Sequence, residues 1–95
     1  MIVLHASFPI DPEHREEALV EESNEEPGTV EYRAAVDVDD ETVLRFFERY
    51  EDEPAFEAHA GSAHFQEFEA RLPEILAGEP TVTQFEVSDA TELDL

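Results

Sequence analysis

The segment Thr42–Glu51, TVLRFFERYE, sets the strongest constraint on the fold. Its side chains alternate as in a strand. Leu44, Phe46, Glu48 and Tyr50 fall on one side, and Val43, Arg45, Phe47 and Arg49 on the other. Both sides carry large apolar groups, so both faces of the sheet that contains this strand need cover. Helices can supply one layer. The second layer has to come from elsewhere.

The rest of the chain supplies the first layer. IVLHASFPI reads as a strand with Ile2, Leu4, Ala6, Phe8 and Ile10 on one face and Val3, His5 and Ser7 on the other. Pro9 has no amide N–H, which ends this strand or puts it at an edge. DPEHREEALVEESNEE reads as a helix, with Asp11 as cap and Pro12 in its first turn. Its apolar face holds little beyond Ala18, Leu19 and Val20, so it depends on tertiary contacts. After the Pro27-Gly28 breaker, TVEYRAAV is a strand with Val30, Tyr32, Ala34 and Val36 on one face. A short helix capped by Asp52 or Glu53 runs to Gly61, and Ser62 caps the next. That helix buries Phe65, Phe68, Leu72, Ile75 and Leu76. Pro73 should kink or break it one turn before its end. TVTQFEV is the last strand.

The order is strand, helix, strand, strand, helix pair, strand. This is the α+β, ferredoxin-like βαββαβ plan, with helices on one face of a four-stranded antiparallel sheet. The domain spans residues 1–88, followed by an acidic tail over 89–95. The uncovered face, with Val43 and Phe47, is an association surface. Two sheets packed face to face would close it as a symmetric homodimer. A chain of 95 residues gains from such a partner, because small domains bury only about 60–65% of their surface.

Charge narrows the partners. There are 26 acidic residues against 5 basic ones, for a net charge of −21, and every basic residue is an arginine. This excludes a phosphate-binding footprint for nucleic acid and disfavours anionic membranes. With 41% apolar residues in periodic segments, the chain folds rather than staying disordered. An acid coat of this density repels itself in dilute salt and is screened near 1 M, where the Debye length is about 3 Å. The expectation is a salt-loving host; the alternative is an acidic protein from an ordinary cell. Equal melting temperatures in dilute and molar potassium chloride would contradict the salt-loving host. No apolar run can span a bilayer, the N-terminus lacks signal-peptide features, and the expected location is cytoplasmic. Cysteine is absent, which removes disulfides and thiolate chemistry.

Three segments together resemble a known family. EEPGTVEYRAAVD holds the pattern E-x-G-x-x-x-Y. RFFERYEDEPAFEAHAGSAHFQEF joins an aromatic strand carrying a Glu to acidic residues and then to A-x-x-x-H-x-x-S-x-H-F. IVLHASFPIDPE fits the first strand. The chain from Ile2 to Val87 thus resembles the antibiotic biosynthesis monooxygenase (ABM) domain family. The resemblance implies a dimeric α+β barrel. The family includes cofactor-independent monooxygenases that convert aromatic polyketides or hydroquinones to quinones, haem-degrading enzymes, and proteins acting on small signalling sugars. The first helix here is shorter than is common in the family by about two turns, which implies a more open or differently closed pocket. The haem-degrading branch relies on an Asn near the first strand and a Trp. This chain has no Trp, and its one Asn is Asn24, so the resemblance disfavours haem degradation.

On the resemblance, His59 is the family's recurring histidine at the end of the short helix. An imidazole with a pKa near 6.5 is a natural base, and deprotonating a phenol or quinol makes it electron-rich enough to reduce dioxygen. The alternative is that His59 bonds a backbone carbonyl and fixes the corner at Gly61. Tyr32 is expected to orient the ligand, and Tyr50 can donate similarly; the alternative is that the two cap the core edge. Phe46, Glu48, His64, Phe65 and Phe68 are the expected substrate contacts, between sheet and helices. Glu48, flanked by aromatics, is either paired or raised in pKa, and Arg33, Arg45 and Arg49 are candidates to pair with it or with acidic residues across the dimer. His64 follows His59 by five residues, about 140° round a continuous helix, a poor spacing for a chelating pair. No metal or cofactor is expected, and His64 reads as a first-turn residue near solvent. His5 lies on the polar side of its strand, and His14 is expected in solvent. The expected function is oxygenation of an aromatic or quinone-like small molecule. The alternatives are a non-catalytic binding or stress-related module and a sugar-signal isomerase.

Overall fold

A computed structural model describes residues 1–14 and 25–94. Its elements are β1 (Ile2–Pro9), β2 (Thr29–Val36), β3 (Val43–Tyr50), α1 (Glu53–Ala60), α2 (Ala63–Ile75) and β4 (Thr81–Glu86). The four strands form one antiparallel sheet in the order β2-β3-β1-β4. This is the ferredoxin-like α+β arrangement that the order of segments predicts. Most of the helix expected from Asp11 lies outside the described residues. The described part is one 3₁₀ turn at Pro12–His14, where the His14 amide donates to the Asp11 carbonyl at 2.9 Å.

The two central strands carry the core. Ile2, Leu4 and Ala6 of β1 and Leu44, Phe46, Glu48 and Tyr50 of β3 are all buried beneath the helices. Register sets Glu48 beside both Leu4 and Tyr32, and Phe46 beside Ala6 and Ala34. The apolar residues form two clusters. One joins Ala6, Tyr32, Leu44 and Phe46 to Phe68 and Ile75 of α2. The other joins Ile2, Leu4 and Tyr50 to Ala55 and Phe56 of α1. Phe8 meets Phe46 edge to face at 5.4 Å, a geometry the ring quadrupoles favour.

Three details differ from simple patterning. Thr29 pairs with Tyr50 while Glu31 pairs with Arg49, so Val30 is the extra residue of a bulge. It is exposed and does not continue the face of Tyr32. Pro73 does not break α2 where it stands. The helix continues to Ile75 and ends within a turn, as expected from the missing amide. Gly61 has φ −89°, a conformation open to any residue, so the corner after α1 does not depend on glycine.

The opposite face of the sheet is open in the single chain. Phe47 is 40% exposed and Phe85 49% exposed, and every residue of β4 is exposed. Residues 88–94 have no regular structure. Its Ala90, Thr91 and Glu92 border a groove with Met1, Val3, Phe47 and Arg49.

Candidate active site

The corner between α1 and α2 is built by side-chain caps. The Asp52 carboxylate accepts from the Ala55 amide at 3.0 Å and starts α1. Ser62 has two tasks. Its Oγ accepts from the Phe65 amide at 3.3 Å, capping α2, and its hydroxyl donates to the His59 carbonyl at 2.7 Å. The last turn of α1 is thereby tied to the first turn of α2. His59 points inward and is 1% exposed, packed against Tyr32, Tyr50 and Phe65 with ring centroids 5.0–5.3 Å away.

A second element brings a carboxylate to this histidine. Residues 26–29, Glu-Pro-Gly-Thr, form a turn closed by the Thr29 amide on the Glu26 carbonyl at 3.2 Å. Proline at its second position and Gly28 at its third, with φ +86°, match a type II turn. A Cβ on Gly28 would lie 2.6 Å from the Ala55 Cβ, so only glycine lets this turn press against α1. The turn delivers Glu26 to the corner. Its Oε1 lies 2.9 Å from His59 Nδ1 and 2.6 Å from His64 Nε2.

When Nδ1 of the neutral ring donates to Glu26, the lone pair of His59 is on Nε2. That atom is buried and has no hydrogen-bond partner among the described residues. It faces Glu48, whose Oε1 is 3.8 Å away. Glu48 Oε1 accepts a 2.6 Å hydrogen bond from the Tyr50 hydroxyl. Burial holds the Glu48 carboxyl above the usual carboxylate range, against the opposing pull of the Tyr50 bond and of His59. Burial also pushes the Tyr50 phenol up, with Glu48 adding to the effect. Tyr50 is therefore a fixed donor.

These groups flank a cavity of about 110 Å³. It lies where the two core clusters meet, between sheet and helices. Its wall is almost wholly apolar, made by Leu4, Ala6, Phe8, Phe46, Phe56, Phe65, Phe68 and Val82, with Tyr32, Glu48 and His59 as the polar groups. A dry cavity of about 150 Å³ holds benzene in another protein. The space here is thus of single-ring scale.

Six of the seven expected site residues line this cavity: Tyr32, Phe46, Glu48, His59, Phe65 and Phe68. His64 does not. It sits behind His59, bonded to Glu26, with its side chain 15% exposed. Five-residue spacing keeps two side chains apart only on a continuous helix. The chain turns at Gly61–Ser62, and the two imidazole centroids end 6.0 Å apart. None of the three candidate arginines pairs with Glu48. Arg45 bonds Asp37 at 2.7 Å, Arg49 reaches Glu31 at 3.5 Å, and Arg33 lies 3.8 Å from Glu31, all away from Glu48. Sequence reasoning missed Glu26. It opens the E-x-G-x-x-x-Y pattern, and its place before Pro27-Gly28 was the available signal.

The sequence profile of the antibiotic biosynthesis monooxygenase family matches residues 1–71, which hold β1 to β3, α1 and most of α2. The chain belongs to the antibiotic biosynthesis monooxygenase family. It is 36% identical, over 94% of its length and 100% of the relative's, to the Bacillus subtilis protein named "Putative monooxygenase YcnE". The solved structure of Rv0793 from Mycobacterium tuberculosis superposes with a TM-score of 0.82 at 26% identity, covering 96% of this chain and 98% of that one. A Deinococcus radiodurans structure reaches a TM-score of 0.87 at 16% identity, covering 99% of both chains, and shows the shared fold alone. In this ABM-family chain, the family match takes in Glu26, Tyr32, Glu48, His59 and His64. β4, whose Val82 closes one side of the cavity, lies beyond it.

Proposed function

We propose that the protein is a cofactor-independent monooxygenase acting on a single-ring aromatic or quinol-type small molecule. The observation that carries this reading is His59. Its Nδ1 is held by Glu26, and its Nε2 is buried without a hydrogen-bond partner at the wall of an aromatic cavity. A carboxylate behind an imidazole fixes the tautomer and supports the positive charge that forms when the far nitrogen takes a proton.

A phenolic hydroxyl in the cavity would donate to Nε2 and then transfer its proton there. The phenolate is electron-rich and reduces dioxygen. One oxygen atom becomes a new ring carbonyl, the other leaves as water, and the substrate supplies all the electrons. No external reductant enters the balance. Tyr32, tilted against His59 with ring centroids 5.3 Å apart, and the Tyr50–Glu48 pair limit how the ring can sit.

A second copy of the chain belongs to the same proposal, seated on the open sheet face. Val3, Phe47 and Phe85 share that face with Arg33, Arg45 and Arg49, three of the five arginines. In a chain of net charge −21, this face meets its copy with the least repulsion. The acid coat elsewhere supports a molar-salt cytoplasm as the working medium.

The experiment is dioxygen uptake with a panel of single-ring phenols and hydroquinones. Uptake above the spontaneous rate is expected, with one labelled oxygen atom in the product. His59→Ala should lose about 10²–10⁴-fold of that rate. Ligand-dependent melting shifts without oxygen uptake would favour a binding module instead. Turnover under strict anaerobiosis would favour an isomerase.

A further inference from the structure

Glu26, His59 and His64 come from three separate elements: the turn before β2, the end of α1 and the start of α2. Their ligand atoms lie within 4.8 Å of one another. Two imidazole nitrogens, His59 Nδ1 and His64 Nε2, converge on one carboxylate oxygen, Glu26 Oε1, at 2.9 and 2.6 Å. We propose that this triad is a site for a borderline divalent cation of the Zn²⁺ or Co²⁺ class, and that occupying it silences His59 as a base.

The donor set is that of an open transition-metal site, with two histidines and one carboxylate and the remaining positions left to water. Metal–nitrogen bonds of about 2.0–2.1 Å place neighbouring ligand atoms roughly 3.0–3.4 Å apart. The two nitrogen–oxygen spacings need to open by about 0.1–0.8 Å to reach that range, and the two nitrogens already lie within 4.8 Å of each other. Glu26 can supply that movement, because it is partly exposed on a turn.

The unpartnered His59 Nε2 is an independent indication. When Nδ1 binds a metal, the proton moves to Nε2, and a histidine ligand normally gives that proton to a carboxylate. Glu48 Oε1 stands 3.8 Å from Nε2, near enough to close into that bond. The same exchange removes the lone pair from the cavity side. This inhibitory consequence rests on His59 acting as the base. The binding site does not.

Many acidic groups on this surface attract hard cations, so selectivity is the test. Co²⁺ is titrated into the protein in about 1 M potassium chloride, which screens diffuse attraction. The expected result is one equivalent of Co²⁺ with visible d–d absorption, displaced by Zn²⁺ and not by Mg²⁺. His64→Ala and, separately, Glu26→Gln should each weaken binding at least tenfold while circular dichroism stays unchanged. No visible band, displacement by Mg²⁺, or an isotherm unchanged in both variants would overturn the site. Zn²⁺ should then suppress quinol-dependent oxygen uptake in step with occupancy, and full uptake at full occupancy would overturn the silencing. If the metal-free protein takes up no oxygen, the catalytic proposal fails, and the Co²⁺ titration still decides the site.

Discussion

The two faces of β3 solve the same electrostatic problem in opposite ways. Beneath the helices, Glu48 sits among Leu44, Phe46 and Tyr50, on the face away from Arg33, Arg45 and Arg49. Its oxygen is met by a neutral phenol and faces an imidazole. One residue along in each direction, Phe47 and Arg49 face out, and the arginines of that side pair with Asp37 and Glu31. The carboxyl groups respond accordingly. Burial raises Glu48, while the Arg45 hydrogen bond holds Asp37 below its usual range. The covered face accepts an expensive carboxylate where chemistry is proposed. The open face spends its charges on ordinary ion pairs and keeps its apolar groups for a partner.

The largest expected contrast is in packing. Phe46→Ala removes a ring that is 1% exposed, in contact with Phe8, Tyr32 and Phe68. It should cost about 3–5 kcal/mol in denaturant unfolding. Phe47→Ala, its neighbour on the open face, should change the unfolding of a dilute single chain by no more than about 0.5 kcal/mol. Sedimentation should show Phe47→Ala shifting a dimer toward monomer. Equal unfolding costs at the two positions would erase the distinction between the faces.

A smaller contrast is in pH. Glu48 has a folded pKa raised above its unfolded value near 4.3. Its protonated form suits the fold, so stability is lost as pH rises through the folded pKa. Glu48→Gln keeps an acceptor for Tyr50 and removes that loss. The variant should match the parent near pH 4 and exceed it near pH 8. A parent more stable than the variant at pH 8 would mean that the ionised carboxylate is favoured after all.

The smallest effect belongs to Asp37, whose lowered pKa gives the opposite sign. Its contribution is present above the unfolded pKa and fades as pH falls through the folded one. Asp37→Asn should lower the melting temperature slightly at pH 7 and leave it unchanged near pH 2. A larger loss at pH 2 would contradict the pairing with Arg45.

Much of this was legible in the chain itself. The alternation in TVLRFFERYE separates the two faces of β3 correctly, and the caps at Asp52 and Ser62 form as their types suggest. The same alternation already argues against Arg45 and Arg49 as partners for Glu48. Arg45 and Arg49 point away from it, and Arg33 lies opposite Phe47 in the register. What stayed hidden depends on contacts across the chain. Glu26 reaches His59 over 33 positions through a turn whose glycine has positive φ. The helix break at Gly61–Ser62 was legible, but that it brings His64 onto Glu26 was not. The bulge at Val30 shifts a register that strict alternation would continue.

The central claim is that Glu26 holds His59 as the Nδ1–H tautomer, leaving Nε2 bare at the cavity. Nitrogen-15 NMR of the metal-free protein at pH 8 tests this directly. Imidazole-labelled protein should show His59 with a bonded proton on Nδ1 and an unprotonated Nε2, and Glu26→Gln should disturb that pattern. A proton on Nε2 in the parent protein would contradict the account.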